Sequence, residues 1–151
     1  MEPIREAIRR ATVALNRIDE IYYRSAKALG TKENTLALLY ALDDGGSHTQ
    51  KQICREWLIP KTTLNTVVRE CVEAGYIRLE QHSREKTICL TESGRAYAQG
   101  LLAPLYAAEE AAMADAPELA EALERFAQRF QTEFEHYIAQ GETYESKDPT
   151  V

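Results

Sequence analysis

The chain has 151 residues, 44% hydrophobic and 28% charged, with a net charge of −6. That length fits one domain of roughly 100 to 200 residues with a packed core and a soluble surface. Its longest apolar runs, such as residues 35–42, are far short of the ~18 residues that a membrane-crossing helix needs.

The charged stretch 1–10 carries no apolar segment of the secretory type, so the expected compartment is the cytoplasm and no membrane is expected as a partner. Residues 2–29 read as one long helix. Ile4, Ile8, Ala11, Leu15, Ile18 and Tyr22 recur at three- and four-residue steps and form one apolar stripe, and Gly30 supplies the stop. About seven turns is long for a small domain, so this helix is expected to pack against more than its own chain. A second helix opens at Thr31, with Leu36, Leu38, Leu39 and Leu42 as its apolar set, and ends at Asp43-Asp44-Gly45-Gly46. Residues 47–57 form a short third helix capped by Ser47 or Thr49, with Ile53, Cys54 and Trp57 inward. Leu58-Ile59-Pro60 is a turn.

The fourth helix, 61–74, turns Leu64, Val67, Val68, Cys71 and Val72 inward and closes at Gly75. Residues 76–80 alternate as a strand with Ile77 and Leu79 inward, 81–86 form a polar loop, and 87–90 return as an antiparallel strand. Thr91 caps the next helix, which runs through Gly94, Gly100 and Pro104 towards Ala114. Pro117 starts the last helix, whose Leu119, Leu123, Phe126, Phe130, Phe134 and Tyr137 lie at helical spacing; 141–151 is polar and expected to fray. The fold class expected is mainly α with a small β-hairpin wing.

The charge is unevenly placed. Residues 47–90 hold seven Lys/Arg against five Glu, whereas 105–151 hold three bases against eleven acids. The middle can approach phosphate and the end would repel it. The order helix, turn, helix, strand, charged loop, strand outlines a winged helix-turn-helix. Such a unit needs a helix standing proud with short polar side chains, and the fourth helix carries Lys61, Thr62, Thr63, Asn65, Thr66 and Arg69. Asn can pair with adenine, Thr with thymine, and Lys or Arg with guanine or phosphate. Arg84 and Lys86 lie at the hairpin tip, where an arginine suits a narrow minor groove. The aromatic stripe of the last helix exceeds what a lone small domain covers, which points to a twofold dimer.

The three cysteines lack CxxC spacing and lie at inward positions, so they read as structural, and the three scattered histidines offer no metal spacing. No phosphate-binding Gly-rich loop, nucleophile elbow or HExxH is present, so neither an enzyme nor a cofactor is expected. A rival reading is a winged-helix protein–protein interaction module without DNA binding; the net acidity favours it.

Residues 53–94 resemble the MarR family of bacterial winged-helix regulators. The resemblance rests on Lys61-Thr62-Thr63-Leu64-Asn65-Thr66-Val67-Val68, on Glu73-Ala74-Gly75-Tyr76-Ile77, on the wing Ser83-Arg84-Glu85-Lys86, and on the closing Leu90-Thr91-Glu92-Ser93-Gly94. It implies a single domain over 1–151, with dimerisation helices at 1–30 and 105–140 around a winged-helix lobe at 31–104. It also implies a homodimeric, sequence-specific transcription regulator on double-stranded DNA, reading a pseudo-palindromic operator and released by a small ligand. Family members hold such ligands between the dimer helices and the DNA-binding lobe. Tyr22, Tyr23 and Tyr40 fall there, as aromatic walls suited to a small aromatic acid. Two departures stand out. His82 and Ser83 replace the family's usual wing aspartate and first arginine, and Pro60 stands where a capping Ser is common. The cysteine near the first helix used by peroxide-sensing relatives is absent.

Overall fold

The computed structural model describes residues 2–82 and 84–145. The chain is α1 (Pro3–Ala28), α2 (Glu33–Leu42), β1 (His48–Thr49), α3 (Gln50–Trp57), α4 (Lys61–Glu73), β2 (Ile77–His82), β3 (Glu85–Leu90), α5 (Glu92–Ala114) and α6 (Leu119–Glu145). It is mainly helical with one small antiparallel sheet, as the sequence implies. Two compact units are formed, residues 1–106 and 107–151.

In the first unit the α1 stop is a glycine cap. Gly30 sits at φ 73, its N–H donates to the Lys27 carbonyl, and the Thr31 N–H donates to that of Ala26. Thr31 is therefore used up in ending α1, and α2 begins at Glu33 rather than at Thr31. Leu38, Leu39 and Leu42 of α2, Ile53 of α3, Leu64 of α4, Ile88 of β3 and Leu102 of α5 are fully buried together. From α5, the Tyr106 hydroxyl reaches back to the Asp43 carboxylate at the end of α2, at 2.8 Å.

The expected start of the third helix at Ser47 is corrected: His48 and Thr49 are extended and pair with Ile88 and Thr87 of β3. Thr49 also caps α3, its Oγ1 accepting from the Gln52 N–H at 3.1 Å. The sheet order is β1-β3-β2. The hairpin is longer than expected, because Gln81 pairs with Lys86 and His82 with Glu85. Residues 81–86 are thus mostly strand, joined through Arg84; Ser83 lies outside the described residues, as does the stretch 146–151 of the polar tail. Leu79, expected inward, is 51% exposed because it lies out along an edge strand, while its partner Ile88 on the central strand is covered.

The start of α5 is seated on the turn that ends α4. Gly75 takes φ 80. Its carbonyl accepts from Thr91 Oγ1 at 2.6 Å and from Ser93 Oγ at 3.0 Å, while Thr91 Oγ1 caps the Gly94 N–H at 3.0 Å. Tyr76 stacks on Tyr97, ring centroids 4.2 Å apart. Pro104 lies inside α5.

In the second unit, α6 starts at Leu119, not at Pro117. The chain turns first, with the Leu119 N–H on the Ala116 carbonyl. Phe126, Phe130, Phe134 and Tyr137 run along α6 with successive centroids 5.9, 6.2 and 6.4 Å apart, and all four are exposed. Among the described residues no helix is long and apolar enough to cross a membrane.

The α4–α5 junction makes a clear stability prediction. A Cβ on Gly94 would lie 1.8 Å from the Tyr76 carbonyl oxygen, a backbone atom that cannot rotate away. Gly94→Ala should therefore destabilise the fold by roughly 2–4 kcal/mol in urea unfolding. Gly100→Ala in the same helix meets nothing within 4 Å and should stabilise by up to about 1 kcal/mol.

Candidate nucleic-acid interface

The helix α4 is two-faced because its apolar residues fall at three- and four-residue steps. Leu64, Val67, Val68 and Cys71 are buried, which fixes the rotation of the helix. Lys61, Thr62, Asn65, Thr66 and Arg69 are exposed and Thr63 is half-buried. The helix begins after Leu58, which is held in the left-handed region at φ 50 and is 86% exposed, and after Ile59, which is buried. Pro60 is the residue before the first turn rather than within it, and its carbonyl accepts from the Leu64 N–H at 2.9 Å. Proline at this point removes only a donor that a helix start leaves unpaired.

Local bonds set what the outer face offers. Thr66 Oγ1 donates to the Thr62 carbonyl at 3.2 Å, so its methyl and its lone pairs remain for an outside partner. Gln50 Nε2 donates to Asn65 Oδ1 at 3.3 Å, which leaves the Asn65 amide hydrogens to donate outward. A bidentate contact to adenine needs the Asn65 acceptor released from Gln50, whereas a single bond to a purine N7 or a thymine O4 does not. Gln50 was not singled out from the sequence. It opens a different helix, fifteen residues away, and only the helix-turn-helix crossing brings it to Asn65.

The wing carries its own ion-pair set. On one face of β2, Glu80 accepts from Arg78 Nε at 2.7 Å and from His82 Nε2 at 3.1 Å. The Arg78 bond first, and then the His82 bond, hold the Glu80 carboxyl below the usual carboxylate range. His82, which replaces the family's wing aspartate, is thus held by an acid two residues earlier. Arg84 and Lys86 are exposed at and beside the tip.

A second feature lies in the same unit. A groove-like cavity of about 660 Å³ is lined by residues of α1, α2, the end of α3, the α3–α4 turn and α5. Tyr22 and Tyr40 line it and Tyr23 does not; instead the Lys27 ammonium lies 5.6 Å from the Tyr23 ring centre. Trp57, expected inward, stands partly exposed on the cavity wall, 5.4 Å from Tyr40 between ring centres. Among the described residues no cluster of His, Cys, Asp and Glu is arranged to hold a metal.

The three cysteines lie on inward positions. Cys71 and Cys89 are buried and Cys54 is half-buried. Burial pushes the Cys71 thiol above its ordinary value, and a protonated thiol is a poor nucleophile. Native protein treated with a disulfide reagent should release about one thiol equivalent promptly from Cys54, and the remainder only on denaturation. Prompt reaction of Cys71 or Cys89, mapped by peptide mass, would contradict this placement.

Comparison with known proteins agrees with this geometry. Residues 29–86, from the end of α1 to the wing, match the model of the MarR family. No curated protein sequence matches the chain. Among solved structures, a MarR family regulator from Neisseria meningitidis is 24% identical with a TM-score of 0.56, covering 94% of this chain and 99% of that one. The transcriptional regulator BldR from Sulfolobus solfataricus is 18% identical with a TM-score of 0.65, over 85% of this chain and 99% of that one. Reduced AbfR, solved bound to DNA, is 19% identical with a TM-score of 0.59, over 86% and 98%. Residues 29–86 thus match the MarR family, and the chain shares the fold of solved MarR-family regulators.

Proposed function

We propose that this protein is a sequence-specific, DNA-binding transcription regulator that works as a homodimer on a pseudo-palindromic operator. The observation that carries the reading is the outer face of α4: five exposed side chains that can bond bases or phosphates, on a helix whose rotation is fixed by four buried ones. In this reading α4 enters the major groove, with Lys61, Thr62, Thr63, Asn65 and Thr66 towards base edges and Arg69 towards phosphate. Arg84 and Lys86 follow into the flanking minor groove or onto its phosphates. That one structural relative was solved on DNA supports this use of the fold.

Residues 1–30 and 105–140 act as dimerisation helices around a winged-helix lobe at 31–104, together one MarR-like domain. Support comes from each end taken by itself. Residues 3–21 of α1 are exposed throughout, including Ile4, Ile8, Leu15 and Ile18, and among the described residues α6 buries no aromatic side chain. A small aromatic effector held by Tyr22 and Tyr40 in the cavity beside the α3–α4 turn releases the DNA. The protein needs no cofactor, carries out no catalysis and works in the cytoplasm.

Operator fragments selected from genomic DNA by the purified protein provide the assay. Asn65→Ala and Arg84→Ala should each weaken operator binding by roughly 1–3 kcal/mol. Arg69→Ala should weaken all sequences alike and reduce the salt slope by about one. Unchanged affinity in all three would favour the protein–protein reading, to which the exposed Leu58 and Leu79 are suited. The dimer is tested separately by sedimentation: wild type should sediment as a dimer, and Phe130→Glu with Phe134→Glu should shift it to monomer by burying charge in the interface.

A further inference from the structure

The cavity beside the helix-turn-helix carries a chemical signature that decides the charge of its occupant. Its walls are aromatic. Tyr22 and Tyr40 come from α1 and α2, and Trp57 from the end of α3, with the Tyr40 ring 5.4 Å from Trp57 and 5.3 Å from Tyr106. Among the described residues its charged groups are all of one sign: Asp19 of α1, Glu33 of α2 and Glu56 of α3 line it, and no lysine, arginine or histidine does. Three acids from three separate helices converge on one opening.

An aromatic acid, which the tyrosines alone suggest, would bring a carboxylate to these three with no cation lining the cavity to pair with it. Like charges in a partly enclosed groove repel more strongly than in open water. A cation meets the opposite situation. The ring faces attract it through their quadrupoles, and the carboxylates attract it through their charge. The volume, about 660 Å³, is in the range of drug-sized ligand sites.

We propose that the cavity binds an aromatic or lipophilic organic cation. The proposal rests on the ligand-responsive regulator described above and deepens it by assigning the charge class of the effector. The same walls supply a route to the DNA-reading helix. Trp57, Leu58 and Ile59 line the cavity and immediately precede Pro60 and the first turn of α4. Leu58 is held in a backbone conformation uncommon for a branched side chain. A ligand wedged against this turn shifts where α4 starts, so cation and operator compete through the turn without sharing a surface. By linkage each then weakens the other to the same degree.

The test uses two probes of matched shape and opposite charge, tetraphenylphosphonium and tetraphenylborate, titrated into the full chain. Trp57 is the only tryptophan, so its emission reports the cavity directly. The phosphonium should change that emission saturably and bind at least about tenfold more tightly than the borate. Replacing Asp19, Glu33 and Glu56 together by Asn, Gln and Gln should remove most of that preference while leaving the unfolding midpoint nearly unchanged. Equal binding of the two ions, preference for the borate, or no binding of either overturns the proposal. Operator affinity without probe is measured alongside. If the protein binds no operator, the regulator reading fails even where the phosphonium binds. If it binds operator and the phosphonium, with affinity for DNA unaltered by the cation, the coupling through the turn is overturned and the charge assignment stands.

Discussion

The working surface of this molecule depends on α4 having one face that cannot turn outward. Leu64, Val67, Val68 and Cys71 are locked among Leu38, Leu39 and Leu42 of α2, Ile53 of α3 and Ile88 of the sheet. A rotation of one residue, about 100°, would pull these four from the core and bury Asn65 or Thr66 unpaired, at a cost of several kcal/mol. The polar row is therefore presented by the core, not by any interaction of its own. The same dependence explains the weight carried by the α4–α5 junction. Gly75, Thr91, Ser93 and Gly94 close the far end of α4 with three hydrogen bonds and one close backbone approach. What looks like a family signature at 90–94 is a packing device, needed because a helix N-terminus is pressed against a carbonyl with no room for a methyl group.

The wing is stabilised differently. It has little core of its own, since β2 buries only Ile77 completely. Its shape comes from pairing with β3 and from Glu80 holding Arg78 and His82 on one face. These are exposed ion pairs, largely screened by solvent. They orient side chains more than they stabilise the fold. In the proposed complex, a wing held this weakly and carrying Arg84 at its tip can adjust to a groove at little cost.

The legible parts of the sequence were those governed by periodicity. The buried and exposed faces of α4, the cap at Thr91 and the stop at Gly30 all follow from residues within one or two turns of each other. What was missed was non-local. The strand β1 is two residues long and exists only because His48 and Thr49 meet Ile88 and Thr87 some forty positions on. The outer hairpin, 81–86, is polar and reads as loop, yet pairing with its own return strand satisfies its backbone. Leu79 fits the inward half of a strand alternation and still faces solvent, because alternation sets the side of the sheet and not whether anything covers it. The cavity was half-legible. The family resemblance placed Tyr22 and Tyr40 there, and Tyr23 wrongly with them, but Asp19, Glu33 and Glu56 share no local pattern and line the cavity together only when three helices are assembled.

The two chain ends raise a question of stability that the winged-helix lobe does not. Of the 26 residues of α1 only Ala26 is buried, and α6 has no buried residue among those described. In proteins most of a helix's stability comes from tertiary packing of its apolar face rather than from propensity. The proposed dimer would supply that packing to their apolar stripes. In the dimer proposed above, folding of the end helices and pairing of the two chains become one equilibrium, and the protein's stability depends on its concentration. A regulator built this way holds two reading helices at a fixed spacing only when paired. Dilution below the pairing constant would then abolish operator binding before the winged-helix core itself unfolds, because that core is packed mainly from α2, α3, α4, the sheet and α5, with only Ala26 of α1 buried in it.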